Sequence, residues 1–248
     1  MTHNLIIWYD ILDSTNKKAI EEFDRLDNLS VIAAFCQTDG RGQQGNRWDS
    51  EEGQNLLFSI LLKDFRCFSP DGLPVKESFR LSRAAAVSVV RYLGKFSIHA
   101  QIKWPNDIYV GDKKIAGILI ENAVSGTKLS RSVIGIGLNM GQTVFSPLLP
   151  NPVSVAQLTG LSFDKESLKT ELEELHGIFC TMIESATLRE EYEGLLYRKE
   201  GYFPFIERTS GEKFRGQICA CEEDGRLILL KENGEIGKYY FKEVEFVI

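Results

Sequence analysis

Apolar positions in this chain repeat with two different periods up to about residue 198 and fall into short isolated runs beyond it. Leu5 to Asp10 is a run of strand length. Asp13-Ser14-Thr15 then offers capping side chains to a helix whose apolar stripe is Ala19, Ile20, Phe23 and Leu26. Val31 to Cys36 has the unbroken apolar character of a buried strand. Thr38 to Gln54 is rich in Gly, Gln, Asn and charge and reads as a long loop, after which Asn55 to Lys63 resumes as a strand. Pro70 and Pro74 break the next connection, ahead of a packed helix over Glu77 to Leu93 that contains Ala84-Ala85-Ala86. Strands are predicted at Ala100 to Trp104, Ile108 to Val110, Ile115 to Asn122 and Lys128 to Ile136, with turns at Gly111-Asp112 and Ser125-Gly126. Strands so closely spaced leave no room for a crossover and pair antiparallel. A helical period with an acidic face returns over Asp164 to Thr187, carried by Leu168, Leu172, Leu175, Ile178, Phe179 and Ile183.

After Tyr197 come Phe203 to Arg208, Lys213 to Cys221, Arg226 to Lys231, Ile236 to Phe241 and Val244 to Ile248, separated by Ser210-Gly211, Asp224-Gly225 and Asn233-Gly234. Short strands with such turns describe a small β-barrel, near the lower size limit for folding alone and therefore expected to pack on the rest. The fold class is α+β. A mixed, largely antiparallel sheet packed with helices is expected over residues 1–198, and the barrel over residues 199–248.

Composition changes this picture only by exclusion. The 248 residues are 43% hydrophobic and 26% charged, as in an ordinary globular protein long enough to bury a sizeable core. A formal charge of -6 gives no global basic surface for a polyanion, so no nucleic acid partner is expected. Nothing precedes the first strand that would serve as a DNA-binding head. Five cysteines without a CxxC pair fit a reduced chain, and three scattered histidines, His3, His99 and His176, argue against a Cys/His metal site. His99 and His176 are assigned to structure. With no apolar stretch near membrane-spanning length and no signal-like N-terminus, the reading is a cytoplasmic protein without membrane contact.

Three segments carry chemistry. The loop Gln37-Thr38-Asp39-Gly40-Arg41-Gly42-Gln43-Gln44-Gly45-Asn46-Arg47-Trp48 combines glycines, which let backbone N–H groups approach a ligand, with the planar donor fork of Arg41. Trp48 is able to stack a planar ring. A flexible connection would show the same glycines. The second segment joins Lys103-Trp104-Pro105-Asn106-Asp107 to Lys113-Lys114-Ile115-Ala116-Gly117-Ile118-Leu119-Ile120-Glu121. It sets cations suited to phosphate oxygens beside a carboxylate able to orient or deprotonate an amine. A solvated ion pair at a hairpin tip is the plainer alternative, but Pro105 fixes the turn and favours a site. The third, Ile134-Gly135-Ile136-Gly137-Leu138-Asn139-Met140, is a strand whose glycines admit a backbone or ligand and whose Asn139 offers a donor and an acceptor. Ser14 and Thr15 sit where a helix N-cap accounts for one hydroxyl, while a helix N-terminus also receives polar ligand groups.

Together with Asp13-Ser14-Thr15-Asn16, and in this order, these segments resemble the biotin protein ligase family over nearly the whole chain. The shorter, monofunctional type without an N-terminal helix-turn-helix is the one resembled. The resemblance implies a class II synthetase-like catalytic domain with a C-terminal SH3-like barrel. It also implies a two-step reaction: biotin and ATP, with Mg2+, give biotinyl-5′-AMP, and a lysine of a biotin carboxyl carrier domain then takes the biotinyl group. By matching positions it assigns chemistry to Arg41, Lys103, Asp107 and Lys114. Biotin falls to Ser14, Thr15, Asn16, Gln37, Arg41, Gly42, Gln43, Lys114 and Gly117, and the nucleotide to Arg41, Trp48, Lys114 and Asn139. ATP and biotin are substrates, no metal is held by protein ligands alone, and a homodimer stays open. One departure is Gln43, where many family members carry a second arginine; glutamine cannot neutralise phosphate, which shifts weight to Arg41, Lys114 and Arg47. A lipoate-type ligase and a non-catalytic biotin-binding module are the rival readings. The role of the barrel is left open, with Lys242 and Glu243 read as a solvated edge.

Overall fold

A computed structural model describes residues 5–248, so His3 lies outside the described residues. The first sheet has seven strands: β1 (Ile6–Leu12), β2 (Val31–Gln37), β3 (Leu56–Leu62), β4 (Gln101–Lys103), β5 (Asp107–Val110), β6 (Lys113–Ser125) and β7 (Lys128–Leu138). Their spatial order is β1-β2-β3-β7-β6-β5-β4. Only the β1–β2 pair is parallel, joined across helix α1 (Thr15–Glu21); the remaining neighbours pair antiparallel, and from β4 to β7 the short connections require it.

Helices cover both faces, which is why β3, sequence LLFSILL, is buried along its entire length. On one face α1 seats Ala19, with Phe23 just beyond its end, against Ile32, Leu61 and Val133. On the other, α2 (Phe79–Gly94) packs Leu81, Ala85, Val89 and Tyr92 into a core shared with Ala33, Phe58, Ile136 and Ile118. Each aliphatic or aromatic side chain so buried stabilises the fold by roughly 1.5–3 kcal/mol. Helix α4 (Lys165–Met182) begins at a capping box between Asp164 and Ser167 and lays Leu168, Leu172, Leu175 and Phe179 on α2. The buried His176 imidazole is held below its ordinary pKa by loss of solvent, as suits a structural histidine. Two short helices, α3 (Val155–Thr159) and α5 (Leu188–Gly194), were not anticipated by the periodicity. Helix α1 is shorter than its stripe suggests, and Ile20 is exposed.

The second sheet is the C-terminal barrel: β8 (Phe203–Glu207), β9 (Lys213–Cys221), β10 (Leu227–Lys231), β11 (Ile236–Tyr239) and β12 (Val244–Phe246), in the order β11-β10-β9-β8-β12. It shares one continuous apolar core with the first sheet through Phe205, Ile218, Leu227 and Phe246. Polar anchors reinforce the joint. The Trp104 indole N–H donates to the Gly225 carbonyl at 2.8 Å. The buried Arg83 guanidinium donates to the Cys221 and Glu222 carbonyls at 3.0 and 2.8 Å and to Glu223 at 2.7 Å.

Candidate active site

Register decides which side chains meet. Across β3, β7 and β6, Leu57 faces Gly137 and Gly117, Ser59 faces Gly135 and Leu119, and Leu61 faces Val133 and Glu121. Residues two apart share a face, so Gly117, Leu119 and Glu121 stand on the α1 side with Gly135 and Gly137. Beyond Gly117 the row continues to Asp107 and Lys103. At the strand ends this face opens into a cavity of about 590 Å³.

Ser14, Thr15, Asn16 and Gln37 form one wall of it; Arg41, Gly42, Gln43 and Trp48 line it from the loop; Lys103, Asp107, Lys114 and Gly117 line it from the β4–β6 rim. The sequence-separated cationic stretches therefore open onto one space. Asn139 does not: it is buried outside the cavity, its amide donating to the Val153 carbonyl at 3.0 Å and its backbone N–H to Ile115. Ser14 occupies the N-cap position of α1 without a side-chain cap, so capping does not account for its hydroxyl.

The loop is folded on itself rather than loose. Arg41 and Arg47 form an antiparallel bridge, the Gly42 N–H donates to Asn46 at 2.7 Å, and the Trp48 N–H donates to Gly40 at 2.9 Å. The exposed Arg41 guanidinium makes no ion pair with any described residue, whereas Arg47 donates to the Thr38 carbonyl. The Trp48 indole rests on the sheet. A Cβ on Gly137 would lie 2.5 Å from its Cε2, and one on Gly117 would lie 2.9 Å from its Cζ3. Those glycines are required by the close approach of the indole. Gly135 makes room for Asn16 in the same way, since a Cβ there would fall 2.1 Å from Oδ1.

Electrostatics differ between the lysines. Lys114 pairs with Asp107 at 2.6 Å, both partly buried, and its ammonium stands 5.6 Å from the Trp48 ring centroid. Lys103 lies between aromatic rings, 5.0 Å from Tyr109 and 5.6 Å from Phe246. Burial lowers the Lys103 pKa, Asp107 opposes that effect, and Lys114 adds to it. Among the described residues no group of three or more His, Cys, Asp or Glu side chains is arranged to hold a metal.

Sequence reasoning missed the barrel's share. Arg208, Phe241, Lys242, Val244, Glu245 and Phe246 all line the cavity, with Lys242 exposed as expected. Nothing in the spacing of β12 signals this, because it follows from how the two sheets dock.

The chain matches the model of the biotin/lipoate A/B protein ligase family over residues 8–139. It is 28% identical over 260 residues to the bifunctional ligase/repressor BirA of Bacillus subtilis, covering 97% of this chain and 73% of that protein. It is 28% identical over 227 residues to the biotin–[acetyl-CoA-carboxylase] ligase of Paracoccus denitrificans, covering 88% and 90% of the two chains. The fold is shared with the biotin protein ligase from Aquifex aeolicus in complex with biotin and ATP, at a TM-score of 0.77 with 24% identity over 98% of this chain and 99% of that one.

Proposed function

Because the chain belongs to the biotin/lipoate A/B protein ligase family, we propose that it is an ATP-dependent biotin ligase. It activates biotin as biotinyl-5′-AMP and transfers it to a lysine of a biotin carboxyl carrier domain. The observation that carries this reading is the meeting of Arg41 with Lys103, Asp107 and Lys114 around one cavity whose far wall is Ser14, Thr15, Asn16 and Gln37.

The first step joins two anions. A carboxylate oxygen attacks the α-phosphorus of ATP and pyrophosphate leaves, so the site must offset repulsion and the charge that builds at phosphorus. Arg41, Lys103 and Lys114 supply that charge. Lys114 already sits on the Asp107 carboxylate, and an incoming anion competes for the same ammonium. In the second step the acceptor amine attacks the anhydride carbonyl and AMP leaves, with Asp107 positioning the amine once Lys114 turns to the substrate. Arg41, Gly42 and Gln43 cover the biotinyl end and Trp48 the nucleotide, shielding the anhydride from water. Asn139 acts on the nucleotide only indirectly, by tying β7 to the Val153 backbone. The acidic groups lining the cavity are Asp107 and Glu245, too few to cage a cation, so Mg2+ enters with the triphosphate as part of the substrate.

We assign the catalytic unit to residues 1–198 and the barrel to residues 199–248, and expect a cytoplasmic enzyme whose macromolecular partner is a carrier domain and not nucleic acid; a homodimer remains compatible with it. Among the described residues no helix is long and apolar enough to cross a membrane. Purified protein incubated with ATP, Mg2+ and a carrier domain, with biotin or lipoate in parallel, is expected to increase the carrier's mass by one biotinyl group. A lipoyl adduct alone, or no adduct, would reject the assignment in favour of a lipoate-type ligase or a non-catalytic binding module.

A further inference from the structure

Behind the polar wall of the cavity lies a hydrogen-bonded chain that ends at a carboxylate. The Asn16 amide nitrogen donates to Glu121 Oε2 at 2.7 Å and to the Leu119 carbonyl at 3.3 Å. Asn16 Oδ1 lies 2.6 Å from Ser59 Oγ, which lies 2.8 Å from Thr15 Oγ1. Thr15 Oγ1 is in turn 3.1 Å from Gln37 Oε1, which also accepts the Thr15 backbone N–H at 2.7 Å. Ser59 is fully buried on β3, and neither it nor Glu121 lines the cavity.

The direction of every proton in this chain follows from its end. A carboxylate and a backbone carbonyl accept only, so the Asn16 amide must turn its NH2 toward them and its oxygen toward Ser59. That oxygen has no proton, so the single hydroxyl proton of Ser59 is spent on it. The contact between Ser59 and Thr15 is then left to the Thr15 proton, for which Gln37 Oε1 competes. Whichever oxygen takes it, that proton stays within the protein, and Thr15 meets the cavity as an acceptor. Gln37 is fixed as well: with Oε1 held by the Thr15 N–H, its free end is the donor Nε2.

We propose that Glu121 and Ser59 are positioning residues: by orienting Asn16 and freeing the Ser59 oxygen to accept, they hold the Thr15 hydroxyl proton inside the protein, so that Thr15 meets the cavity as an acceptor beside the Gln37 Nε2 donor and the pair selects a ligand with an adjacent N–H and C=O. Resting on the ligase reading above, this deepens it: a cyclic urea matches the pattern, whereas a dithiolane ring has no N–H and leaves the buried polar groups unpaired. Sites built to bond a substrate N–H discriminate strongly against analogues that lack it.

Adenylation kinetics with biotin and with lipoate test the proposal, after calorimetry confirms biotin binding by the unaltered protein. Ser59→Ala and Glu121→Ala are each expected to raise KM for biotin about tenfold with kcat within about threefold, a loss of ground-state binding, and to narrow the preference for biotin over lipoate. Glu121→Gln, whose Oε1 accepts at the same reach, is expected to recover most of the lost affinity, which a role for charge alone would not produce. Unchanged KM in both alanine variants, or Glu121→Gln no better than Glu121→Ala, would overturn the polarity assignment alone. Unaltered protein that binds no biotin would overturn the ligase reading, and this inference with it.

Discussion

Arg41 holds an exposed guanidinium on a loop braced by its own backbone, without a partner charge among the described residues. Its removal therefore leaves no orphaned group. Arg41→Ala is expected to leave the unfolding free energy within about 0.5 kcal/mol of the original. Pyrophosphate exchange should nonetheless slow at least about tenfold, or ~1.4 kcal/mol of transition-state stabilisation; exchange near the original rate would contradict the assignment. Lys114 differs because it neutralises Asp107 at 2.6 Å. Lys114→Gln is expected to weaken biotin binding in calorimetry and exchange activity together, and unchanged values in both would reject its shared role. Both were candidates from the sequence, Arg41 because it stands between two glycines and Lys114 because it follows a second lysine into an apolar strand. Ser59 and Glu121 were not. Each completes a strand-like run, LLFSILL and GILIE, and only the cross-strand row shows what lies over it.

At the scale of the element, the elongated antiparallel strands could be read from period and turn chemistry, and their bounds agree within a few residues at most ends. Which face each residue takes could not be, because register is a property of pairs. The glycines of β6 and β7 show this. From the sequence they admit some unspecified neighbour; in the structure Gly135 admits Asn16, while Gly117 and Gly137 admit Trp48. β7 is pinned between β3 and β6, so a new methyl at residue 137 must move the indole rather than the strand. Gly137→Ala is expected to raise acrylamide quenching of tryptophan fluorescence and to lower adenylation about tenfold, a cost of ~1.4 kcal/mol. Gly177→Ala on α4, where a Cβ meets nothing within 4 Å, should leave both unchanged. Helices α3 and α5 escaped the periodicity because five and seven residues span too few turns to show it.

Across the whole molecule, one apolar core and the Arg83 and Trp104 anchors bind the barrel to the larger sheet. Removing the Arg83 side chain takes a donor from the buried Cys221 carbonyl and leaves a space in the joint, so Arg83→Ala is expected to cost about 3 kcal/mol. Denaturant unfolding followed by tryptophan fluorescence and by far-ultraviolet dichroism should give coincident midpoints before and after the change. Two separated transitions in the unaltered protein would show the barrel to be independent. The docking also decides where lesions matter. Val244, Glu245 and Phe246 line the same cavity as Arg41 and Lys114, although they lie far from both in the sequence. A nonsense allele that stops translation just before Val244 would remove all three with β12 and should behave genetically as a null.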